Sequence, residues 1–311
     1  MVFSQRAYLR GESLVNIRQI QNLIIRNTCF QHTHRTDSLR GGYATSLFMQ
    51  LFSDTIVLGV VASLLAGVAT GVGALPIFLK RNFSRRTLDI MLGFAAGVML
   101  AASAFSLLVP ALEDPLVNDW ADVLTVVALG FGLGGIFVHL ADKYVPHAHF
   151  EKGEEGPSSS LARVWLLILA ITIHNFPEGL AVGVSFGLED PLTGISVAVA
   201  IGLQNMPEGL AVAAPLVREG YPRGKAVLLA LATGLVEPIG GILGVSIVTV
   251  AAFLLPYGLA FAAGAMVFVV GDEMIPESHS SGNARVATWG IMIGFVIMMT
   301  LDNVFHFLFG G

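Results

Sequence analysis

The chain reads as an all-α membrane protein. Its fold class is eight transmembrane helices in one bundle, with kinked fourth and fifth helices carrying a metal site at mid-membrane. Three observations predict this. Hydrophobic residues make up 54% of the sequence and charged residues 13%, with a mean hydropathy of +0.74. Eight stretches of about 20 residues are almost free of Lys and Arg, which is the length a helix needs to cross a bilayer. Two of those stretches carry the same polar phrase at their centres.

The spans read as 54–79, 88–112, 121–142, 163–187, 192–217, 225–250, 253–271 and 286–309. The charges between them alternate in order. Lys80, Arg81, Arg85 and Arg86 follow the first span, whereas Glu113, Asp114, Asp119 and Asp122 follow the second. Lys143, Lys152 and Arg163 mark the third loop, and Glu189 and Asp190 the fourth. Arg218, Arg223 and Lys225 mark the fifth loop, the sixth has no charge, and Arg285 lies in the seventh. Basic loops stay in the cytoplasm. The odd loops are therefore expected there, and both ends of the eight-helix body are expected outside the cell membrane. The 35 glycines suit close packing, because small residues let helix backbones approach.

Residues 1–50 do not share this pattern. They hold six Arg against Glu12 and Asp37, with no long apolar run. The stretch reads as an N-terminal extension, and several origins fit it: a disordered leader, a cleaved targeting segment, or a non-native start upstream of Met49. A peripheral segment is the remaining alternative. Residues 51–311 form the membrane body, with a net charge near −9 against −5 for the whole chain. The single Cys29 lies in the extension, so neither a disulfide framework nor a Cys-based metal site exists.

The repeated phrase carries the chemistry. His174-Asn175-Phe176-Pro177-Glu178-Gly179-Leu180-Ala181-Val182 recurs as Gln204-Asn205-Met206-Pro207-Glu208-Gly209-Leu210-Ala211-Val212, with seven of nine positions identical. A glutamate at bilayer depth costs roughly 2.5–3.5 kcal/mol on insertion scales. Residues four apart share a helix face, so His174 projects with Glu178 and Gln204 with Glu208. Pro177 and Pro207 remove a backbone bond and clash with the preceding turn. They should kink each helix and free the carbonyls of Ile173 and Leu203. Glu237-Pro238 interrupts the sixth span, and Met99 sits in the second. Met99, His174, Gln204 and Glu237 fall at the midpoints of their spans, so four helices place a donor at one depth. Imidazole with carboxylate suits Zn²⁺, Fe²⁺, Mn²⁺, Co²⁺ and Ni²⁺, and a thioether widens the range to softer ions. The donors outnumber those one ion needs, which leaves room for two ions bridged by a glutamate. The bland alternatives are a paired carboxylate tying helices together and, for Met99, ordinary core packing.

His174-Asn175-x-Pro177-Glu178-Gly179, Gln204-Asn205-x-Pro207-Glu208-Gly209 and Glu237-Pro238 together resemble the ZIP family of divalent metal transporters. Met91-Leu92-Gly93-Phe94-Ala95-Ala96-Gly97 adds to the likeness. The resemblance covers about 51–311 and is greatest to the GufA-like prokaryotic branch. It implies an eight-helix transporter domain with a binuclear metal centre between the fourth and fifth helices. The implied ligands are Met99, His174, Asn175, Glu178, Gln204, Asn205, Glu208 and Glu237, with Glu178 and Glu208 as bridges. Some relatives have Asp where this chain has Asn205, so the second ion should bind more weakly here, or not at all. The resemblance also implies elevator-like alternating access. The cargo is then Zn²⁺, with Fe²⁺, Mn²⁺, Co²⁺ and Cd²⁺ as further candidates, carried as substrate into the cytoplasm.

Weaker features flank the centre. Glu113 and Asp302 resemble an outer entrance pair, or are solvated acids. His147 and His149 lie in the third loop, where many relatives carry histidines. They read as an ion-catching pair or as a solvated loop. Asp272, Glu273, Glu277 and His279 cluster after the seventh span as a candidate exit site. His139 with Asp142, and Asp302 with His306, are helix-spaced pairs that read as structural hydrogen bonds. The partners expected are divalent metal ions, the lipid bilayer and a second copy in a homodimer. Nucleic acid is excluded because the acidic body has no basic face. A metal-selective channel and a metal sensor are the alternatives within metal handling. An intramembrane metalloprotease needs H-E-x-x-H, which the chain lacks, and no other enzyme signature is present.

Overall fold

The computed structural model describes residues 55–80, 82–149, 153–155, 163–188 and 190–309. The expectation for residues 1–50 lies outside them. All eight expected spans are helical. We label them α1 (Thr55–Phe78), α2 (Arg85–Glu113), α3 (Trp120–Tyr144), α4 (Arg163–Ser185), α5 (Pro191–Arg218), α6a (Arg223–Gly234), α6b (Glu237–Val250), α7 (Ala252–His279) and α8 (Ala284–Phe309).

Local sequence sets the ends. The Ser84 side chain accepts the Thr87 amide ahead of α2. Asp119 accepts the amides of Ala121 and Asp122 at α3, and Asp190 accepts that of Leu192 at α5. Each supplies an acceptor to an amide that lacks an intrahelical partner. Between α3 and α4, the third loop adds a short antiparallel ribbon, β1 (His147–His149) with β2 (Gly153–Glu155), in the register His147 to Glu155.

The helices treat proline in three ways. Pro177 and Pro207 sit inside continuous helices. Glu237-Pro238 does break its span: a turn at Leu235 and Val236 separates α6a from α6b. The sequence did not announce the third way. Wide π turns run over Ala102–Leu108 in α2 and Val270–Met274 in α7, just ahead of Pro110 and Pro276. A proline cannot donate to the carbonyl four residues back, and a locally wider helix relieves the clash without ending the span. The seventh span therefore continues to His279 rather than stopping near 271.

The outer surface of the described helices is apolar, and a polar cluster is buried within an otherwise apolar core. Leu65, Val72, Ile136, Leu228, Ile293 and Val296 face outward, while Ser63, Thr70, Asn175, Glu178, Gln204, Asn205, Glu208 and Glu237 are buried. Such an apolar surface belongs in hydrocarbon rather than water. Two helix groups share the interior. In one, α1, α4, α5 and both halves of α6 pack on one another. In the other, α2 packs on α8, and α7 packs on both α3 and α2. The groups meet mainly along α2 with α5 and α4 with α7.

Glycine permits these approaches. Gly93 and Gly97 of α2 face the backbone of Ala287 and Ile291 on α8, while Gly290 and Gly294 face that of Ile90 and Phe94. The glycines of the repeated phrase do the same. Gly179 lies against the backbone of Glu237, and Gly209 against the carbonyl of Thr70. A side chain at Gly209 would collide with that carbonyl. We predict that Gly209→Leu lowers stability by at least the 1–3 kcal/mol or so typical of overpacking. Thermal unfolding in detergent tests this, and an unchanged melting temperature would refute the close contact.

Candidate metal centre

The repeated phrases lie on α4 and α5, which pack side by side. Their polar residues point inward. His174, Asn175, Glu178, Gln204, Asn205, Glu208 and Glu237 are all buried, with Asn175, Glu178, Gln204, Asn205 and Glu237 fully enclosed. The break in α6 puts Glu237 at the first turn of α6b, beside Gly179. Asn205 Nδ2 donates to Glu237 Oε1 at 2.6 Å and to the Ala66 carbonyl at 2.8 Å, tying α5 to α6b and α1. Glu178 is close enough to Glu208 and Glu237 for their charges to interact.

Most of this cluster lacks hydrogen-bond partners. Both side-chain polar atoms of Asn175, Glu178 and Gln204 are buried without one of good geometry, although Gln204 lies near enough to Glu178 to act on its carboxyl. Asn205 Oδ1, Glu208 Oε2 and Glu237 Oε2 are likewise buried without one. An orphaned buried polar group costs about 1–3 kcal/mol, more when charged. Six neighbouring residues with that deficit are poorly explained as helix ties, because a tie would pair them. Carboxylate and amide oxygens held ready at one place are what a cation can satisfy. Among the described residues, no three His, Cys, Asp or Glu side chains converge on one point as they stand. The donor set is a mixture in which amides take part, and one of its members is engaged elsewhere.

That member is His174. Its Nε2 shares a 2.7 Å hydrogen bond with Glu273 Oε1. Glu273 was expected at the exit. It is instead buried on the π turn of α7 and reaches the centre itself. The span does not end near 271 but continues to His279 through the wide turn, which carries Glu273 inward. The rest of the expected exit cluster disperses. Arg85 Nη2 donates to Glu277 Oε1 at 2.6 Å, while Arg85 also pairs with Asp89 at 2.8 Å. His279 Nε2 meets the Thr288 hydroxyl at 3.0 Å, and Asp272 is exposed.

The other expected residues also have definite places. Met99 is buried in the main apolar core, and its carbonyl accepts the Ser103 hydroxyl at 2.7 Å. Asp302 is half-buried and accepts hydroxyls from Ser106 at 3.1 Å and Ser196 at 3.0 Å. Glu113 is exposed at the end of α2. His147 is buried, with Nε2 3.7 Å from Asp142 and Nδ1 2.8 Å from the Val145 carbonyl. It is therefore no solvated loop residue. The side chains of His149 and His306 lie outside the described residues. The expected pairing of His139 with Asp142 is not formed: the His139 ring stands edge-on to Phe268, and Asp142 turns to His147.

The sequence comparisons agree with this interior. The ZIP Zinc transporter family model matches residues 149–302. The chain is 48% identical over 249 residues to "Zinc transporter GufA" of Myxococcus xanthus, covering 78% of this chain and 97% of that protein. The chain belongs to the ZIP zinc transporter family. It is also 48% identical over 238 residues to "Zinc transporter ZIPB" of Bordetella bronchiseptica, covering 76% and 77% of the two chains. It is 38% identical over 317 residues to "Zinc transporter ZIP11" of Homo sapiens, covering 75% and 93%. Membership in this ZIP family makes the chain a multi-pass membrane transporter rather than an enzyme, with a divalent metal ion as substrate.

Proposed function

We propose that this protein carries Zn²⁺, and more weakly Fe²⁺, Mn²⁺, Co²⁺ and Cd²⁺, into the cytoplasm by alternating access. The observation that carries the reading is the set of unpartnered oxygens on Asn175, Glu178, Gln204, Asn205, Glu208 and Glu237, enclosed between α4, α5 and α6b. Three carboxylates with amides and an imidazole suit a borderline dication. Enclosure on every side fits a carrier, because a channel needs a through-path of weak sites. The relatives named as zinc transporters support Zn²⁺ as the first cargo.

The ion is held by Glu178 and Glu208, with the shell completed from among Met99, His174, Asn175, Gln204, Asn205 and Glu237. Glu273 holds His174 while no ion is bound. An arriving ion competes for the same nitrogen, so the contact between α4 and α7 loosens as metal loads. Those helices belong to different groups, and the contact thereby links loading to movement of one group against the other. Basic odd loops set the direction, with both ends of the body outside.

Uptake by the full chain in proteoliposomes, with Zn²⁺, Fe²⁺, Mn²⁺, Co²⁺ and Cd²⁺ compared, tests the proposal. We expect saturable uptake, fastest for Zn²⁺. Flux that does not saturate would favour a channel, and absence of flux for every ion would sink the reading.

A further inference from the structure

A cavity of about 690 Å³ lies where the two helix groups face each other, between α3 and α7 on one side and α4 and α6b on the other. Its volume falls in the range of ligand sites. Its walls are almost wholly apolar, with Leu133, Leu180 and Ile247 on three of the four helices and Tyr257 the one residue with a polar side-chain atom. The floor is aromatic: Phe137 packs on Phe176 at 5.9 Å and on Phe261 at 5.6 Å between ring centroids. Phe176 belongs to the repeated phrase, next to Asn175.

Three features specify what fills it. The cavity opens sideways, because Leu129, Leu133 and Ile247 are 52%, 49% and 39% exposed on membrane-facing helices. Its neighbour there is hydrocarbon. It runs from Phe176 to Val184 along α4 and from Leu129 to Phe137 along α3. Eight residues of helix span about 12 Å, against about 15 Å for the hydrocarbon of one leaflet. Its far end reaches Phe253 and Leu254, in the turn that opens α7, at the edge of the span. The lining carries no charged side chain, so the polar end of the occupant must stay outside.

We propose that the cavity is a binding site for one acyl chain of a bilayer phospholipid. The tail enters from the α6–α7 end, rests on the Phe137, Phe176 and Phe261 floor, and fills the seam between the helix groups. A phospholipid tail is the occupant because the opening faces the hydrocarbon of the bilayer, which phospholipid tails make up.

Native mass spectrometry of the full chain, purified from phosphatidylcholine, tests the site without reference to metal flux, so its result is independent of the proposed transport. Wild type should retain one phospholipid. Leu133→Trp, which narrows the cavity, should lower retention roughly tenfold, since excluding a few methylenes suffices. Leu228→Trp, on the exposed face of α6a, should retain it. Equal retention by all three would overturn the proposal, as would fatty acid or detergent bound in place of phospholipid. Should Leu133→Trp fail to fold, wild type in nanodiscs with brominated tails decides: bromine density in the cavity supports the site, and its absence refutes it.

Discussion

Glu178→Ala should abolish metal uptake while leaving the metal-free protein at least as stable as wild type. Both Glu178 oxygens are buried without a hydrogen bond of good geometry, Gln204 being the nearest polar side chain, and Glu208 and Glu237 are close enough for their charges to act on the carboxyl. In the metal-free protein it is a liability, because a buried carboxyl with unmet polar atoms costs free energy whether or not it is charged. Deleting it removes that penalty, and the small cavity left behind offsets part of the gain. With metal present the sign reverses. Loss of groups that merely support a ligand costs 10–100-fold in affinity, so loss of a carboxylate that itself holds the ion should cost at least about 100-fold. Glu208→Ala should behave similarly, less sharply in stability, since only its Oε2 is orphaned. Two measurements decide: Zn²⁺ uptake into proteoliposomes, and melting temperature in chelator. Normal uptake would remove Glu178 from the centre. A large fall in metal-free melting temperature would show that the carboxylate ties helices instead.

The eight spans were legible because a bilayer imposes one length and one polarity on every crossing segment. The break at Glu237-Pro238 was legible too: a proline after a buried glutamate, followed by Gly240 and Gly241, leaves a helix little to hold it together. Pro177 and Pro207 carry the same local signal, yet their helices continue. The neighbours explain the difference. Gly179 and Gly209 bring α4 and α5 against the backbones of Glu237 and Thr70, and packing along both helices holds the segments helical. That contact is tertiary and has no trace in the local sequence beyond the glycine itself.

The candidate donors on α4, α5 and α6b were legible because carboxylates and amides are rare at that depth and repeat there. Glu273 was not assigned to the centre. Its residue type was noticed, but the wide turn of α7 that carries it inward depends on how Pro276 is accommodated. The His147–Asp142 contact was missed for a related reason. It joins a helix end to a ribbon strand, and the helix-spaced partner His139 was the nearer choice along the chain. Residue types thus named the chemistry, whereas partner choice depended on how prolines and loops were packed.

Asn205→Asp should tighten the binding of a second ion at the proposed centre. Asn205 now acts as a donor: Nδ2 serves Glu237 Oε1 and the Ala66 carbonyl, 2.6 and 2.8 Å away. An aspartate in that place has no hydrogen to give. Both contacts become acceptor against acceptor, and a fourth carboxylate joins Glu178, Glu208 and Glu237. The metal-free variant should therefore lose about 2–5 kcal/mol of stability, from two broken hydrogen bonds and one added buried charge. A second dication reverses both terms, because it accepts the electron pairs that the amide hydrogens had satisfied and neutralises the new charge. Opposite charges about 4 Å apart attract by about 4 kcal/mol at an effective dielectric of 20 for unit charges, enough for a gain of at least tenfold in affinity for the second ion after burial is offset. Elemental analysis of the dialysed protein should rise from one Zn²⁺ per chain to two, and saturating Zn²⁺ should raise the melting temperature more for the variant than for wild type. One ion in both proteins, with equal shifts, would mean that the amide is not what limits the centre to a single ion.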